Sequence, residues 1–551
     1  MSDESSPTGP RRHHDWWYGW SGLVGAILFG VSSFTPSLLP RTPVLQGLIA
    51  GIAAAFGYGI GETVAWLAGR LVRWHPGPTA RRRSWWVLAV AGSLGVVVGL
   101  VAGWRWQRQI HELMGQAAPG ALSPFVVLAL GLLVFAGLVA VSRFLRRVGG
   151  WVLRQVLRFV PLWLARTVAV VAVALLVVGV ISGVVMNTFL AVSNAAFSVR
   201  DTATTEGVVR PTSPERSGSP DSAVRWESVG REGRDFLGTG PTREQISAFS
   251  GTAAQDPIRV YAGLQTAPDV QDRVAAVVDE LRRTHAFDRK ALVVVTTTGT
   301  GWVDPASVDA LEYMWGGDTA IAAMQYSYLP SWISFLADKS KAQEAGVALF
   351  RGVHDAWSAL PADHRPELYA FGESLGSFGG HEAFASLDEM AAQTSGAVYA
   401  GTPNFTALWQ SLVAARDEGS LERLPVYQDG RVARWMAAPG DVERLPGPWS
   451  GSRVVYLQYA SDPIVWWSGD LVGHEPDWLR EPRGADVLPE MRWIPWVTFW
   501  QVTADMVFST AVPPGHGHKY LQDYVDAWVA AGRPAGWTAA DTAQLRDLLA
   551  R

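Results

Sequence analysis

The chain has 551 residues, room for two or more domains, and its 48% hydrophobic and 17% charged residues make it more apolar than a soluble globular protein. A net charge of -4 speaks against a general nucleic-acid binder, and the lack of cysteine excludes disulfide and thiol chemistry. A membrane portion is therefore the first expectation.

Five apolar stretches in the first third predict five spans: Trp17 to Thr35, Gly47 to Ala65, Ser84 to Gly103, Pro124 to Ser142 and Thr167 to Leu190. Each is close to the roughly 20 residues a helix needs to cross a bilayer core. Glu62 is the only charged side chain inside them, and its place near one end of its span lets it snorkel to the interface. Arginines crowd the connections between the second and third and between the fourth and fifth spans, while the alternate connections hold few. Basic loops stay on the cytoplasmic side, so the N-terminus is expected inside and everything after Leu190 outside. Leu145 to Phe159 reads either as a basic amphipathic helix lying on anionic lipid or as an ordinary positive-inside loop.

The composition then divides the chain into a transmembrane helical domain over 1–193, a linker or loosely structured approach over 194–256, rich in Ser, Pro and Gly, and a catalytic domain over 257–551. In the last part IRVYAGL, ALVVVTTT, ELYAFG, GAVYAGT and RVVYLQYA read as buried strands, each followed by an amphipathic segment. Strands alternating with helices predict a mostly parallel sheet covered on both faces. In such sheets active groups gather outside the carboxyl ends of the strands.

Gly372-Glu373-Ser374-Leu375-Gly376 fits G-x-S-x-G directly after the strand Glu367 to Phe371. A sharp strand-to-helix turn would expose the Ser374 hydroxyl, and flanking glycines remove side chains that would collide across it. A serine needs a base, and the base needs a carboxylate to hold its tautomer. Asp462 follows the strand RVVYLQYA, and PPGHGHKY places His516 and His518 in a glycine-rich loop, giving the chain order serine, acid, histidine. His516, deeper in the loop, is the first choice for the base, with His518 its rival. A metal site is not expected from these histidines, since no third ligand is evident, and no cofactor is expected. The Leu375 amide, with Thr298, Gly299 and Thr300 after the strand Ala291 to Val295, are candidates for an oxyanion hole.

Together TTTGTGWVDP, QYSYLPSWISFL, RPELYAFGESLGS, YASDPIVWW and PPGHGHKY, behind a multi-span N-terminal region, resemble the actinobacterial and firmicute membrane-anchored α/β-hydrolase family. That family includes aminoacyl-phosphatidylglycerol hydrolases. The resemblance implies an α/β-hydrolase domain and an esterase at the outer leaflet of the bacterial plasma membrane, removing alanine or lysine from a lipid ester through Ser374, Asp462 and one of the two histidines. An aminoacyl ester carries an ammonium group beside its carbonyl. Glu373, Asp304, Glu312 and Asp318 lie in segments around the expected site, and Trp302, Asp304 and Glu373 are candidate substrate contacts. The runners-up are a lipase or acyltransferase on other envelope esters, and a transport or signalling protein whose hydrolase-like domain only binds. The expected partners are a lipid substrate and the bilayer, with no nucleic acid. Many of the 27 tryptophans cluster in YMWGGD, SYLPSWISF, IVWW and MRWIPWVTFW, which suits either a rim meeting lipid headgroups or core packing.

Overall fold

The computed structural model describes residues 18–71, 77–157, 171, 187–331, 333–334, 339–445 and 447–550. They form two compact units. One holds residues up to Thr35 with Arg41–Arg108 and Pro119–Arg146, and the other holds Pro36–Pro40, Gln109–Ala118 and the chain from Arg147 onward.

The first unit holds α1 (Trp20–Ser32), α2 (Pro43–Leu71) and the greater part of α3 (Pro78–Leu113) and α4 (Ser123–Val156). Proline opens α2 and α3, where its missing amide N–H has no intrahelical partner to lose. Three of the four, α2, α3 and α4, are long and apolar enough to cross a membrane, whereas α1 has 13 residues and falls short. The predicted fifth span, apart from residues 171 and 187–190, lies outside the described residues. Residues 145–156 continue α4 without interruption, so the basic stretch there is no separate helix.

Glycines bring α1 and α2 into close contact: a Cβ on Gly25 would stand 2.1 Å from the Gly57 carbonyl oxygen, and one on Gly57 would stand 2.2 Å from that of Gly25. Glu62 does more than reach for the interface, because its Oε1 accepts the Gly22 amide at 3.1 Å. That amide belongs to the first turn of α1, whose N–H groups lack helical acceptors.

The second unit is built on seven parallel strands: β1 (Ile258–Ala262), β2 (Ala291–Thr296), β3 (Thr319–Met324), β4 (Glu367–Glu373), β5 (Gly396–Ala400), β6 (Ala433–Met436) and β7 (Arg453–Leu457). Their order is β1-β3-β2-β4-β5-β7-β6. The helices are α5 (Asn187–Asp201), α6 (Gly230–Gly238), α7 (Arg243–Ser250), α8 (Val270–Arg283), α9 (Pro305–Met314), α10 (Ser340–Ser358), α11 (Leu375–His381), α12 (Leu387–Gln393), α13 (Ala407–Ala414), α14 (Pro463–Trp466), α15 (Val497–Val507), α16 (Asp523–Ala531) and α17 (Ala539–Leu549). Side chains of a strand alternate between faces. On β2, Leu292 and Val294 join a core with α8 and α10, while Val293 and Val295 join another with α9 and α16. Both faces are covered, as a parallel sheet requires.

The segment 194–256 is no loose linker. Ser217 donates its amide to the Arg259 carbonyl at 3.0 Å and Arg259 donates to Glu215 at 3.1 Å, adding a bridge outside β1. Glu280 of α8, buried, accepts from Ser217 and Ser222 hydroxyls and from the Ala223 amide. The serines that make the segment read as a linker are the groups that tether it. Phe236, Leu237 and Ile246 complete the attachment in the α9 core.

One buried charge knits this region. Arg259 of β1 donates to Glu312 at 2.8 and 2.7 Å, to Asp309 at 2.6 Å and to the Phe236 carbonyl at 2.8 Å, joining β1, α9 and α6. Arg259→Ala strands the fully buried Glu312 carboxylate. It is expected to destabilise this unit by about 3–5 kcal/mol, measurable as a lowered denaturation midpoint of the solubilised protein.

Candidate functional site

The turn between β4 and α11 creates the site. Ser374 sits there with φ 55 and ψ -125, a conformation L-residues adopt only under constraint. The constraint is close backbone packing. A Cβ on Gly376 would lie 2.1 Å from the Thr296 carbonyl oxygen at the end of β2, and one on Gly372 would lie 2.5 Å from the Gly376 carbonyl oxygen. Both glycines of G-x-S-x-G are thus required by contact, and Ser374 is left facing a cavity of about 420 Å³.

Asp462 follows β7 and caps α14, its Oδ1 accepting the Ile464 amide at 2.9 Å. Its Oδ2 accepts from His518 Nδ1 at 2.7 Å and from the Tyr520 hydroxyl at 2.5 Å. The carboxylate is fully buried. Burial alone would lower the His518 pKa, but Asp462, with Glu373 and Asp304 beyond it, outweighs that and raises it. Burial, with Asp462 adding, pushes the Tyr520 phenol far up, so it stays a donor. The end of β5 closes over the pair: a Cβ on Gly401, at φ 54, would stand 2.2 Å from His518 Cε1.

Between the two histidines the geometry is unequal. His518 lines the same cavity as Ser374, with its Nε2 buried and without a protein hydrogen-bond partner among the described residues. His516, the first choice from the sequence, pairs instead across a bridge with Lys519 and does not line that cavity. Between them Gly517 takes a positive φ of 56, so the two histidines are not successive positions of a regular element. The backbone pins His518 in place, its amide donating to the Ser509 carbonyl at 2.8 Å while the Gly517 amide donates to Ser461 Oγ at 2.8 Å.

Of the expected oxyanion donors, Leu375 opens α11, so its amide precedes the first helical acceptor. The loop after β2 differs from expectation. The Thr298 amide donates to the Trp302 carbonyl at 3.0 Å within the turn and the Gly299 amide to Ser331 Oγ, beyond β3, at 3.0 Å, so both are occupied. The Thr300 carbonyl accepts from Gln325 at 3.0 Å, and Thr300 does not line the cavity. Thr298 itself lines the cavity.

Trp302, Asp304 and Glu373 also line the cavity. Asp304 caps α9, accepting the Ala306 amide at 2.8 Å, and burial raises its pKa despite those amides. Glu373 is 4% exposed, its Oε1 lies 3.8 Å from His518 Nε2, and its Oε2 has no hydrogen-bond partner among the described residues. Burial first, then the nearby Asp304 carboxylate, drives the Glu373 pKa up, against His518 and the Tyr524 hydroxyl, which pull it down. Glu312 and Asp318 are elsewhere, spent on Arg259 and Lys290. Among the described residues no three His, Asp or Glu side chains are grouped as metal ligands.

The sequence model of the alpha/beta-hydrolase family matches residues 258–545, and that of the family's N-terminus matches 34–241. The chain belongs to the alpha/beta-hydrolase family. No curated protein and no solved structure matches it.

The strain at Ser374 is measurable. Ser374→Gly is expected to be more stable than Ser374→Ala by about 1 kcal/mol, since glycine accepts the positive φ. Gly376→Ala, which forces a Cβ onto Thr296, is expected to yield little folded protein. Thermal melts of the three variants in one detergent check the order.

Proposed function

We propose that the protein is a membrane-bound serine ester hydrolase acting on lipid esters at the outer leaflet of the bacterial plasma membrane, and that it hydrolyses aminoacyl-phosphatidylglycerol to phosphatidylglycerol and amino acid. The observation that carries the hydrolase reading is the His518–Asp462 hydrogen bond at 2.7 Å beside a serine held at φ 55 on the same cavity. Family membership supports the reaction class. The alternation of arginine-rich and arginine-poor connections supports an outer-face hydrolase domain.

In this reading His518 Nε2 takes the Ser374 proton as Oγ attacks the ester carbonyl. The Leu375 amide, with the Thr298 hydroxyl as second donor, stabilises the oxyanion. As the tetrahedral intermediate collapses, the glycerol oxygen leaves with the proton from His518, and an acyl-enzyme remains. Water, deprotonated by His518, releases the amino acid and restores the serine. Asp462 holds the imidazole with Nε2 free to accept, and Tyr520 fixes the carboxylate in turn.

The aminoacyl preference rests on Glu373, whose Oε2 is buried next to the nucleophile with the Tyr524 hydroxyl close by but no partner at hydrogen-bond distance among the described residues. A ligand ammonium group there would supply the missing partner and favour the ionised carboxylate, with Asp304 adding negative potential and Trp302 forming the wall.

Mass spectrometry of membrane lipids after incubation with full-length protein tests both steps, offering alanyl- and lysyl-phosphatidylglycerol beside triglyceride. Loss of the aminoacyl lipids with wild type and not with Ser374→Ala is the expected result. Preferential loss of triglyceride would overturn the substrate, and no loss of any ester would overturn the hydrolase. Glu373→Gln is expected to lower kcat/KM for the aminoacyl lipid relative to a neutral ester by about 10–100-fold, the worth of a hydrogen bond to a charged group.

The pH profile is set by the same groups. The base works only as neutral imidazole, and the raised His518 pKa moves the acid-side fall of kcat/KM above the usual histidine midpoint of about 6.5. Asp462→Asn is expected to shift that midpoint down and to lower kcat by about 10³–10⁴. A midpoint unmoved by Asp462→Asn would assign the limb to another group.

A further inference from the structure

The hydrolase unit contains two short pieces of chain that sequence order places among the membrane helices, Pro36–Pro40 after α1 and Gln109–Ala118 around the end of α3. Both are anchored in its interior. Leu38, Leu39, Ile110 and Met114 are each at most 1% exposed and join the larger of its two cores. The Ser37 hydroxyl donates a short hydrogen bond to Asp505 Oδ2, and the Leu38 amide donates to the same oxygen at 3.2 Å. Asp505, itself 1% exposed, lies in the last turn of α15.

Just beyond Asp505 the chain becomes a wall of the site. Met506, Val507, Ser509 and Thr510 line the cavity with Ser374 and His518. The Ser509 carbonyl is the acceptor of the His518 amide. Leu39 packs on the other side of the same loop, its Cδ2 3.3 Å from where a Gly517 Cβ would be, and Gln116 Nε2 donates to the Ala511 carbonyl at 3.2 Å. The loop bearing His518 is thus gripped at Asp505, Ala511 and Gly517 by residues that precede the hydrolase domain in the chain.

We propose that Ser37, with Leu38 and Leu39, is a positioning element for the base of the active site: by holding the Asp505 carboxylate and backing Gly517, it fixes the 506–518 segment that aims His518 at Ser374. This rests on the ester-hydrolase reading. It assigns part of the catalytic geometry to a connection between membrane helices, which a chain starting at residue 257 would lack. Catalysis is sensitive to such placement, because a displacement of about 1 Å can lower a rate by about a hundredfold.

The test uses full-length protein in detergent micelles, a fluorophosphonate to titrate reactive Ser374, and a soluble p-nitrophenyl ester as substrate. Ser37→Ala is expected to lower kcat per titrated site about tenfold with KM changed less than about twofold. The acid-side midpoint of kcat should move down as His518 loosens from Asp462, and Ser37→Thr, which keeps the hydroxyl, should restore both. Leu39→Ala should act in the same direction. If kcat per titrated site and the midpoint are unchanged in Ser37→Ala and Leu39→Ala, whatever happens to the melting temperature, these residues only stabilise the fold and the proposal is wrong. If wild type is not labelled at Ser374, the hydrolase reading falls and the positioning role with it.

Discussion

Everything at the site hangs on how closely three stretches of backbone can approach. The end of β2, the end of β4 and the first turn of α11 meet with no side chain between them, because Gly372 and Gly376 offer none. This contact holds Ser374 at a positive φ that costs on the order of 1–3 kcal/mol, and the seven-stranded sheet supplies the rigidity to maintain it. A serine on a flexible loop would relax. Here relaxation would require β2 and β4 to part, and they are paired along their length.

Around the serine the difficulty is electrostatic. Asp462, Glu373, Asp304 and His518 are all buried within one small region. Burying charge is unfavourable unless each group has partners. Asp462 has three donors and Asp304 has two amides, whereas Glu373 keeps an oxygen with none among the described residues. The uneven distribution sets Glu373 apart from the two aspartates, and it is the reason that the proposed substrate contact falls on Glu373. His381, another buried histidine, shows the contrasting case: its ring nitrogens meet the Ser377 carbonyl and the Tyr456 hydroxyl, and burial drives its pKa down to about 4.

Much of this is readable in the sequence, for reasons that can be named. G-x-S-x-G is legible because the backbone approach demands glycine at fixed offsets, and five strands are legible because burial on both faces demands unbroken apolar runs. Two strands escape that reading. TAIAAM of β3 is nearly all small residues, and ARWM of β6 has only four, carrying an arginine whose guanidinium is held by carbonyls of neighbouring loops. The choice between His516 and His518 depends on the Gly517 dihedral and on Ser509, neither of which has a signature in PPGHGHKY. Thr298 and Gly299 have the right composition for anion binding, yet the Trp302 carbonyl and the Ser331 hydroxyl take their amides. Tryptophan is ambiguous for the same reason: Trp466 is core, packed at a tilt on Trp478, while Trp493 and Trp500 around α15 are only partly covered. PSLLP reads as an unremarkable connection, and nothing in it announces Asp505.

That last contact has a consequence for how the protein is made. Ser37 and Asp505 are 468 positions apart. At a synthesis rate of about 5–20 residues per second, one partner waits about 25–95 seconds for the other. In that interval the Ser37 hydroxyl and the Leu38 amide lack the Asp505 carboxylate. Closing so long a loop comes late in folding. A ribosome-bound or C-terminally truncated chain would therefore carry its apolar helices and most of its sheet before the contact between PSLLP and α15 could form, so the two ends of the hydrolase unit are joined only in finished molecules.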